Sequence, residues 1–150
     1  MAAIRFRVSS GEEALAASTA ETVVQLVAAA NHRVKITEYT ISFKGTSATD
    51  TPVRCRIFRQ TGAGTSAAAT VVKDDVSTDE TLQTTARNAF TVEPTTDDAL
   101  IDEFEVHPQP GTKVFLPLAQ EILVAGGGRV GFKLTAAQAQ TAVVSIGAEE

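Results

Sequence analysis

Apolar and polar residues alternate in short runs along the whole chain. Arg129–Leu134 shows this clearly, because its apolar residues fall on every second position, as in a strand with one buried and one solvated face. With similar runs elsewhere, the pattern predicts about eight to nine short strands, separated by turn signals at roughly ten-residue spacing. The others lie at Ile4–Val8, Thr22–Val27, Arg33–Phe43, Pro52–Arg59, Thr84–Val92, Leu100–His107, Val114–Leu116 running on to Glu121–Val124, and Ala142–Ile146, with a brief one at Val71–Val72.

The last third of the chain predicts a meander of consecutive strands. Gly126-Gly127-Gly128 precedes Arg129–Leu134, and glycine permits the positive φ that a tight hairpin needs. Thr135–Gln140 then joins that strand to Ala142–Ile146. We therefore expect these strands to pair with one another in one sheet.

One long strand contains a change of phase. Within Arg33–Phe43, the apolar positions shift from one parity to the other between Ile36 and Tyr39. Because side chains alternate strictly along a regular strand, such a shift predicts a β-bulge near Thr37-Glu38.

The first twenty residues differ from the rest. Ile4–Val8 predicts either a first strand or an N-terminal arm that adds to a sheet edge. Glu12–Ala20 is rich in alanine, and Ser10 stands three residues before Glu13 as an N-cap, which predicts one or two helical turns. We therefore divide the chain into an arm with a short helical segment, residues 1–20, and a single domain, residues 21–150.

These patterns predict an all-β protein, an antiparallel β-sandwich resembling a jelly roll, with an N-terminal arm. Many short strands with frequent turns and no long amphipathic helix are typical of that class. A chain of 150 residues buries about 70% of its unfolded surface, which is enough for a two-layer core.

Composition and charge exclude or disfavour several classes of function. The net charge of −5 disfavours a nucleic-acid-binding surface, which needs clustered lysine and arginine. One cysteine and two histidines exclude a disulfide framework and a Cys/His zinc set. No apolar run reaches the roughly 20 residues of a membrane span, so we expect no membrane partner. The N-terminus lacks the apolar core of a signal peptide, so we expect synthesis in a cytoplasm.

Gly62–Ala67 matches the G-x-G-x-x-A pattern of dinucleotide-binding loops. The preceding strand carries Arg54, Arg56 and Arg59, so it alternates in polarity, whereas a parallel strand of a nucleotide-binding sheet is apolar on both faces. The loop leads into Ala-Thr-Val-Val and not into an amphipathic helix. We therefore expect a flexible hairpin loop here.

Glu103, Glu105 and His107 fall on one face of a predicted strand. This spacing could gather a divalent ion or support acid–base catalysis, but any solvated strand face shows the same alternation. The simpler alternative is that the carboxylates pair across strands with Arg54 or Arg56.

The remaining polar and reactive residues are most simply structural. The acidic residues stand in predicted turns and lack the spacing of a calcium-binding loop. We interpret His32 as a turn residue and Cys55 as a small core residue. We find no catalytic motif, and we expect no enzymatic activity and no cofactor. The acidic clusters are Asp74-Asp75 with Asp79-Glu80, and Asp97-Asp98 with Asp102.

Several segments resemble those of small structural proteins of tailed-phage virions. The resemblance covers most of the chain beyond residue 20 and is structural rather than catalytic. The segments that carry it are Thr22–Phe43, Lys44-Gly45-Thr46-Ser47, Pro52–Arg56, Glu93-Pro94-Thr95, Glu105–Pro108 and Ala125–Gly131.

The resemblance implies a jelly-roll capsid decoration, or cement, protein. Such a protein binds the major capsid protein lattice on the outside of the head shell, as a homo-oligomer and often a trimer. The alternative is a β-sandwich binding module for a carbohydrate or another cell-surface ligand, such as a receptor-binding tip, a head fibre or a baseplate component. An enzyme with a metal site of the cupin type is a third possibility, which two histidines make difficult.

Overall fold

A computed structural model describes residues 3–44, 51–76 and 79–150. These residues form strands and connecting turns, without a helix. The strands are β1 (Arg5–Ser9), β2 (Glu13–Leu15), β3 (Ala20–Val27), β4 (Val34–Lys44), β5 (Val53–Gln60), β6 (Thr65–Ala69), β7 (Val71–Lys73), β8 (Thr85–Val92), β9 (Thr96–Val106), β10 (Thr112–Phe115), β11 (Ile122–Val124), β12 (Arg129–Thr135) and β13 (Gln140–Glu149).

The strands build two antiparallel sheets. The first follows the order β10-β4-β13-β1-β7, with β11 also pairing β4 and β2 also pairing β13. The second follows the order β6-β8-β3-β12-β5-β9. β10 and β11 both run antiparallel to β4 and contact successive parts of it, so they act as one strand interrupted by residues 116–121.

The core of this β-sandwich lies between the two sheets. Tyr39 of the first sheet stands edge-on to Phe132 of the second, with ring centroids 5.2 Å apart. It also stacks on Phe104, at 6.0 Å. Cys55 is fully buried beside these rings, as expected for a small core residue. Alternating apolar side chains from both sheets therefore form one hydrophobic cluster.

Several local predictions are confirmed. In β5, Val53, Cys55 and Ile57 are buried, whereas the residues between them are more exposed. Glu38 is opposite Gly147 and Ile36 is opposite Ala148, so Thr37 is the extra residue of a bulge. The phase change in the sequence thus located this bulge correctly.

The predicted meander is wrong. β11 belongs to the first sheet, β12 to the second and β13 to the first again, so the chain crosses between sheets at both connections. The glycine turn makes the first crossing and packs on an adjacent loop, where Gly127 N–H donates to the Ala29 carbonyl and Ala28 N–H to the Gly128 carbonyl. Alternation predicted these strands but could not indicate their partners, because both sheets bury one face.

The predicted helical turns at residues 12–20 are also wrong. Residues 13–15 form β2, which pairs with β13 and buries Leu15. β1 is not a projecting arm, because its two edges are bonded to β13 and β7. Cross-strand hydrogen bonds and burial of Leu15 outweigh the weak helical propensity of this alanine-rich stretch.

Other differences concern strand number and boundaries. The thirteen strands in the described ranges exceed the predicted eight to nine, mainly because short pieces such as β6 and β11 are separate. Part of the expected loop at Gly62–Ala67 is β6, and Asp97-Asp98, expected in a turn, belong to β9, which begins at Thr96. Alternation along Leu100–His107 also predicts that Leu100 shares one face with Phe104 and Val106, but the register shifts near Phe58 leave Leu100 exposed.

We predict that Gly126→Ala lowers the free energy of unfolding by about 1–3 kcal/mol. A Cβ at this position would stand 2.5 Å from the Ala30 carbonyl oxygen, which is backbone and cannot easily move. Urea denaturation measures the loss. Gly127→Asn is the matched control, since asparagine tolerates its φ of 74° and its Cβ would make only an ordinary contact, 3.9 Å from Ala30 Cα. Equal stability of Gly126→Ala and the unmodified protein would contradict the packing of this crossing.

Candidate interaction surface

The residues singled out as candidate chemical sites remain separate in the structure. The second half of Gly62–Ala67 already belongs to strand β6, so this segment lacks the helix N-terminus on which a pyrophosphate would sit. Glu103 forms an ion pair with Arg54, the cross-strand pairing that was the simpler alternative. His107 Nδ1 accepts a hydrogen bond from Gln109 N–H at 3.2 Å, which fits a turn-capping role.

The acidic turns and His32 are in structural contacts. Asp74 pairs with Arg7 at 3.3 Å, and Asp97 accepts the Ala99 N–H at 3.0 Å. The side chain of Asp98 and residues 45–50, which include part of the Lys44–Ser47 run, lie outside the described residues. Within the described ranges, no three His, Cys, Asp or Glu side chains are grouped to hold a metal ion.

His32 lies in a polar cleft at one end of the sandwich. The cleft has a volume of about 560 Å³, and His32 Nδ1 stands 3.4 Å from Glu150 Oε1. The Glu150 carboxylate is buried and accepts N–H groups of Gln83 at 3.0 Å and Thr84 at 2.7 Å. Glu150 therefore joins the β7–β8 connection to the end of β13, which is a structural role.

The outer face of the first sheet carries an ion-pair network that connects three strands. Glu38 on β4 lies between two cations: it accepts a short hydrogen bond from Arg7 on β1, and Lys113 Nζ on β10 stands 3.3 Å from its other oxygen. Between Glu38 and Arg7 lies Gly147 of β13, and a Cβ there would stand 2.6 Å from Glu38 Cγ. Glycine at this position leaves the space across which the carboxylate reaches Arg7.

These contacts set the charge state of Glu38. Its side chain is only 12% exposed, and burial alone would raise the pKa of the carboxyl. Hydrogen bonds and positive charge from Arg7 and Lys113 together outweigh burial, so the pKa of Glu38 lies below its ordinary value. The carboxylate is therefore charged at neutral pH and connects three strands of one sheet.

Large apolar side chains are exposed where this sheet ends. Phe115 on β10 is 66% exposed, Leu118 in the following loop 91%, and Leu123 on β11 41%. We call these three residues the apolar edge. Lys113 lies over the Phe115 ring, with Nζ 4.6 Å from the centroid. In the described ranges, no strand pairs with the outer side of β10 or β11, so backbone groups are exposed beside these side chains.

Leu118 is presented by a strained turn. Gln120 N–H donates to the Pro117 carbonyl at 2.9 Å, and Ala119 has a φ of 71°, a conformation that non-glycine residues rarely adopt. Local strain of this kind persists where the surrounding structure imposes it and is often found at functional sites. The turn directs the most exposed of these apolar side chains away from the sandwich.

The apolar edge was missed in the sequence, although a signal for it was present. Val114–Leu118 is five residues long and contains four large apolar side chains and a proline. A half-buried strand alternates, and therefore leaves Phe115 on the surface while Val114 and Leu116 are partly buried. Leu118 lies beyond the end of β10, and the turn at Pro117–Gln120 exposes it.

A cleft lies at the opposite edge of the same sheet. β7 pairs with β1 only from Phe6 to Val8, and beyond this point a cleft of about 640 Å³ lies next to Ser9–Gly11. Its lining combines four apolar residues with glycine and six polar ones. The apolar residues are Val8, Ala68, Ala69 and Val72, and the polar ones are Arg7, Ser9, Ser10, Thr70, Asn88 and Ser145. We call it the β7 cleft.

Comparison with known proteins identifies no relative. No protein-family model matches the chain, and no curated protein or solved structure is significantly similar to it. The described residues also contain no helix long and apolar enough to cross a membrane.

We predict that Glu38→Gln lowers the free energy of unfolding at pH 7 by about 1–2 kcal/mol, because two charge-assisted contacts are lost. A carboxyl whose pKa is lower in the folded chain contributes stability above its unfolded pKa and loses it as the pH falls through the folded pKa. The difference from the unmodified protein should therefore shrink on acidification in urea titrations.

Glu105→Gln on the second sheet, an exposed carboxyl, is the matched control and should change stability by less than about 0.5 kcal/mol. A Glu38→Gln difference that stays constant or grows as the pH falls would contradict the assignment of Glu38 as a charged link.

Proposed function

We propose that this protein is a non-enzymatic structural protein of a phage virion, a capsid decoration protein that binds the outside of the head shell and stabilises it. It acts as a homo-oligomer, with a trimer favoured, on the lattice of the major capsid protein. It is synthesised in the host cytoplasm and ends on the capsid surface. The apolar edge is the observation that carries this proposal.

The apolar edge supports an assembly role because Phe115, Leu118 and Leu123 are displayed together on one sheet margin. Monomeric proteins expose single apolar residues widely, but several large apolar side chains beside unpaired strand edges favour a surface that another protein covers. A protein that spends its functional life in a lattice has such a covering partner. The adjacent ion-pair network stiffens the sheet that bears the patch.

We further propose that the sandwich is a jelly roll, the fold of many viral capsid domains. In a jelly roll, the last strand lies between the first and the third, and the penultimate strand lies between the second and the fourth. Here β13 lies between β1 and β4, and β12 between β3 and β5. In this reading, β10 and β11 are one strand, β2 is a short extra piece beside β13, and β6, β7 and β8 are an insertion. Because fold alone does not determine function, this order supports the virion role without carrying it.

The binding-module alternative receives no support from a particular observation. Carbohydrate platforms use exposed tyrosine or tryptophan rings. The chain has no tryptophan, and its one tyrosine, Tyr39, is buried in the core. A glycan array that showed saturable binding by the protein would restore this alternative.

We predict that antibodies raised against the protein label the outside of intact phage particles from the source culture. Particles are purified by density gradient, labelled with immunogold and viewed by electron microscopy, with preimmune serum as the control. Label distributed over the head surface is expected for a decoration protein. Absence of the chain from purified particles would contradict the virion role, and label on the tail alone would contradict the head position.

A further inference from the structure

We propose that this chain forms an internal ester cross-link, in which the hydroxyl oxygen of Thr22 replaces the side-chain amide nitrogen of Gln60. The link joins β3 to β5 within the second sheet and releases ammonia. Each molecule reacts once, so the step is a self-modification and needs no external substrate. It is independent of the virion role and of any contact between copies.

The two reacting side chains belong to strands that are not neighbours. β12 lies between β3 and β5, and it places Gly131 beside the Gln60 side chain. A Cβ at Gly131 would stand 2.2 Å from Gln60 Oε1. Glycine therefore leaves the path by which this side chain crosses β12 and reaches Thr22. Both reacting residues are buried, with Thr22 4% and Gln60 5% exposed.

The Thr22 hydroxyl is placed to act as a nucleophile. Its Oγ1 donates to Glu93 Oε2 at 2.7 Å, and the Thr22 N–H donates to the other oxygen of the same carboxylate at 2.8 Å. A carboxylate in this position can take the hydroxyl proton while the oxygen attacks. Lys133 Nζ, 3.1 Å from Glu93 Oε2, helps to hold the carboxylate in place.

The Gln60 amide is placed to be attacked. Gln60 Nε2 donates to Thr22 Oγ1 at 3.3 Å, and the amide carbon Cδ is one bond from that nitrogen. Gln60 Oε1 accepts an N–H from Gln25 Nε2 at 2.7 Å. During attack, negative charge develops on Gln60 Oε1, and a buried donor already directed at this atom stabilises it, as in an oxyanion hole.

Gln25 is held in an orientation that suits this role. Its Nε2 also donates to the Gly62 carbonyl at 3.1 Å, so both of its N–H groups are directed at carbonyl oxygens. Its own Oε1 is buried and has no hydrogen-bond partner within the described ranges. An unsatisfied buried acceptor is unfavourable and calls for an explanation. The explanation here is that the Gln25 amide serves the oxygen of the reacting group.

The step balances without a further reactant. The bond between Thr22 Oγ1 and Gln60 Cδ forms, and the bond between Gln60 Cδ and Nε2 breaks. The hydroxyl proton passes through the Glu93 carboxylate to the departing nitrogen, which leaves as ammonia. Ammonia diffuses away and burial keeps water from the ester, so the product persists. The link restricts the unfolded chain, as a disulfide does, and therefore stabilises the sheet.

Intact mass spectrometry of the purified full chain under denaturing conditions tests the cross-link. We expect a mass below that of the sequence by about 17 Da, the mass of the ammonia displaced by the nucleophile. Peptide mapping should find one linked pair of peptides, which contain Thr22 and Gln60. Hydroxylamine at neutral pH cleaves esters but not amides, so it should separate the two peptides.

Substitutions assign the roles. Thr22→Val removes the hydroxyl and should have the full sequence mass, whereas Thr22→Ser keeps it and should still lose ammonia. Glu93→Gln preserves the shape of the side chain but removes the base, so it should slow the loss roughly a hundredfold or more. Thr84→Val is the matched control and should still lose ammonia, since Thr84 is equally buried and its hydroxyl binds the Glu150 carboxylate.

Three results would overturn the inference. A chain that keeps the full sequence mass after prolonged incubation at neutral pH would show that the group is only a hydrogen-bond network. Loss of ammonia from Thr22→Val, or a link that resists hydroxylamine, would place the bond on another residue, such as Lys133. An unchanged rate in Glu93→Gln would contradict the assigned base. The virion role would stand in each case, because antibody labelling of particles tests it separately.

Discussion

The pairing of β13 with β4 is the interaction on which the first sheet depends. It is an extended antiparallel pairing, from Thr141 opposite Lys44 to Glu149 opposite Lys35. β13 also pairs with β1 and β2 along its other edge, so the last strand of the chain is the centre of the sheet. A chain that lacked β13 would leave β4 and β1 without a common neighbour. Contacts so distant in sequence also predict slow folding.

The bulge in this pairing connects the fold to the surface chemistry. By removing Thr37 from the register, it places Glu38 opposite Gly147 and returns the following residues of β4 to the phase that buries Tyr39 and Ile41. The same phase directs Glu38 outward, between Arg7 and Lys113. One extra backbone residue therefore determines both the aromatic contact in the core and the ion-pair network on the sheet face.

The sequence allowed the strands to be predicted better than their partners. Alternation located β5, β12 and the bulge in β4, because these features depend on nearest neighbours along the chain. It could not distinguish a hairpin from a crossing at Gly126–Gly128, since glycine suits both. It also predicted a helix where β2 forms, because the pairing of β2 with β13 involves residues more than a hundred positions apart. Alternation also suggested the Arg54–Glu103 ion pair, because it places both residues on solvated strand faces. The apolar edge and the β7 cleft could not be predicted in this way, because they depend on which strands end the sheet.

The exposed apolar side chains of the apolar edge, at strands that end one sheet, are the basis for proposing a self-assembling structural protein. The most direct test of that claim is the absolute mass in solution, measured by size-exclusion chromatography with light scattering over a range of concentrations. We expect the mass to rise with concentration to about three times that of the 15.7 kDa chain. A mass that remained that of the single chain at every concentration would contradict self-assembly.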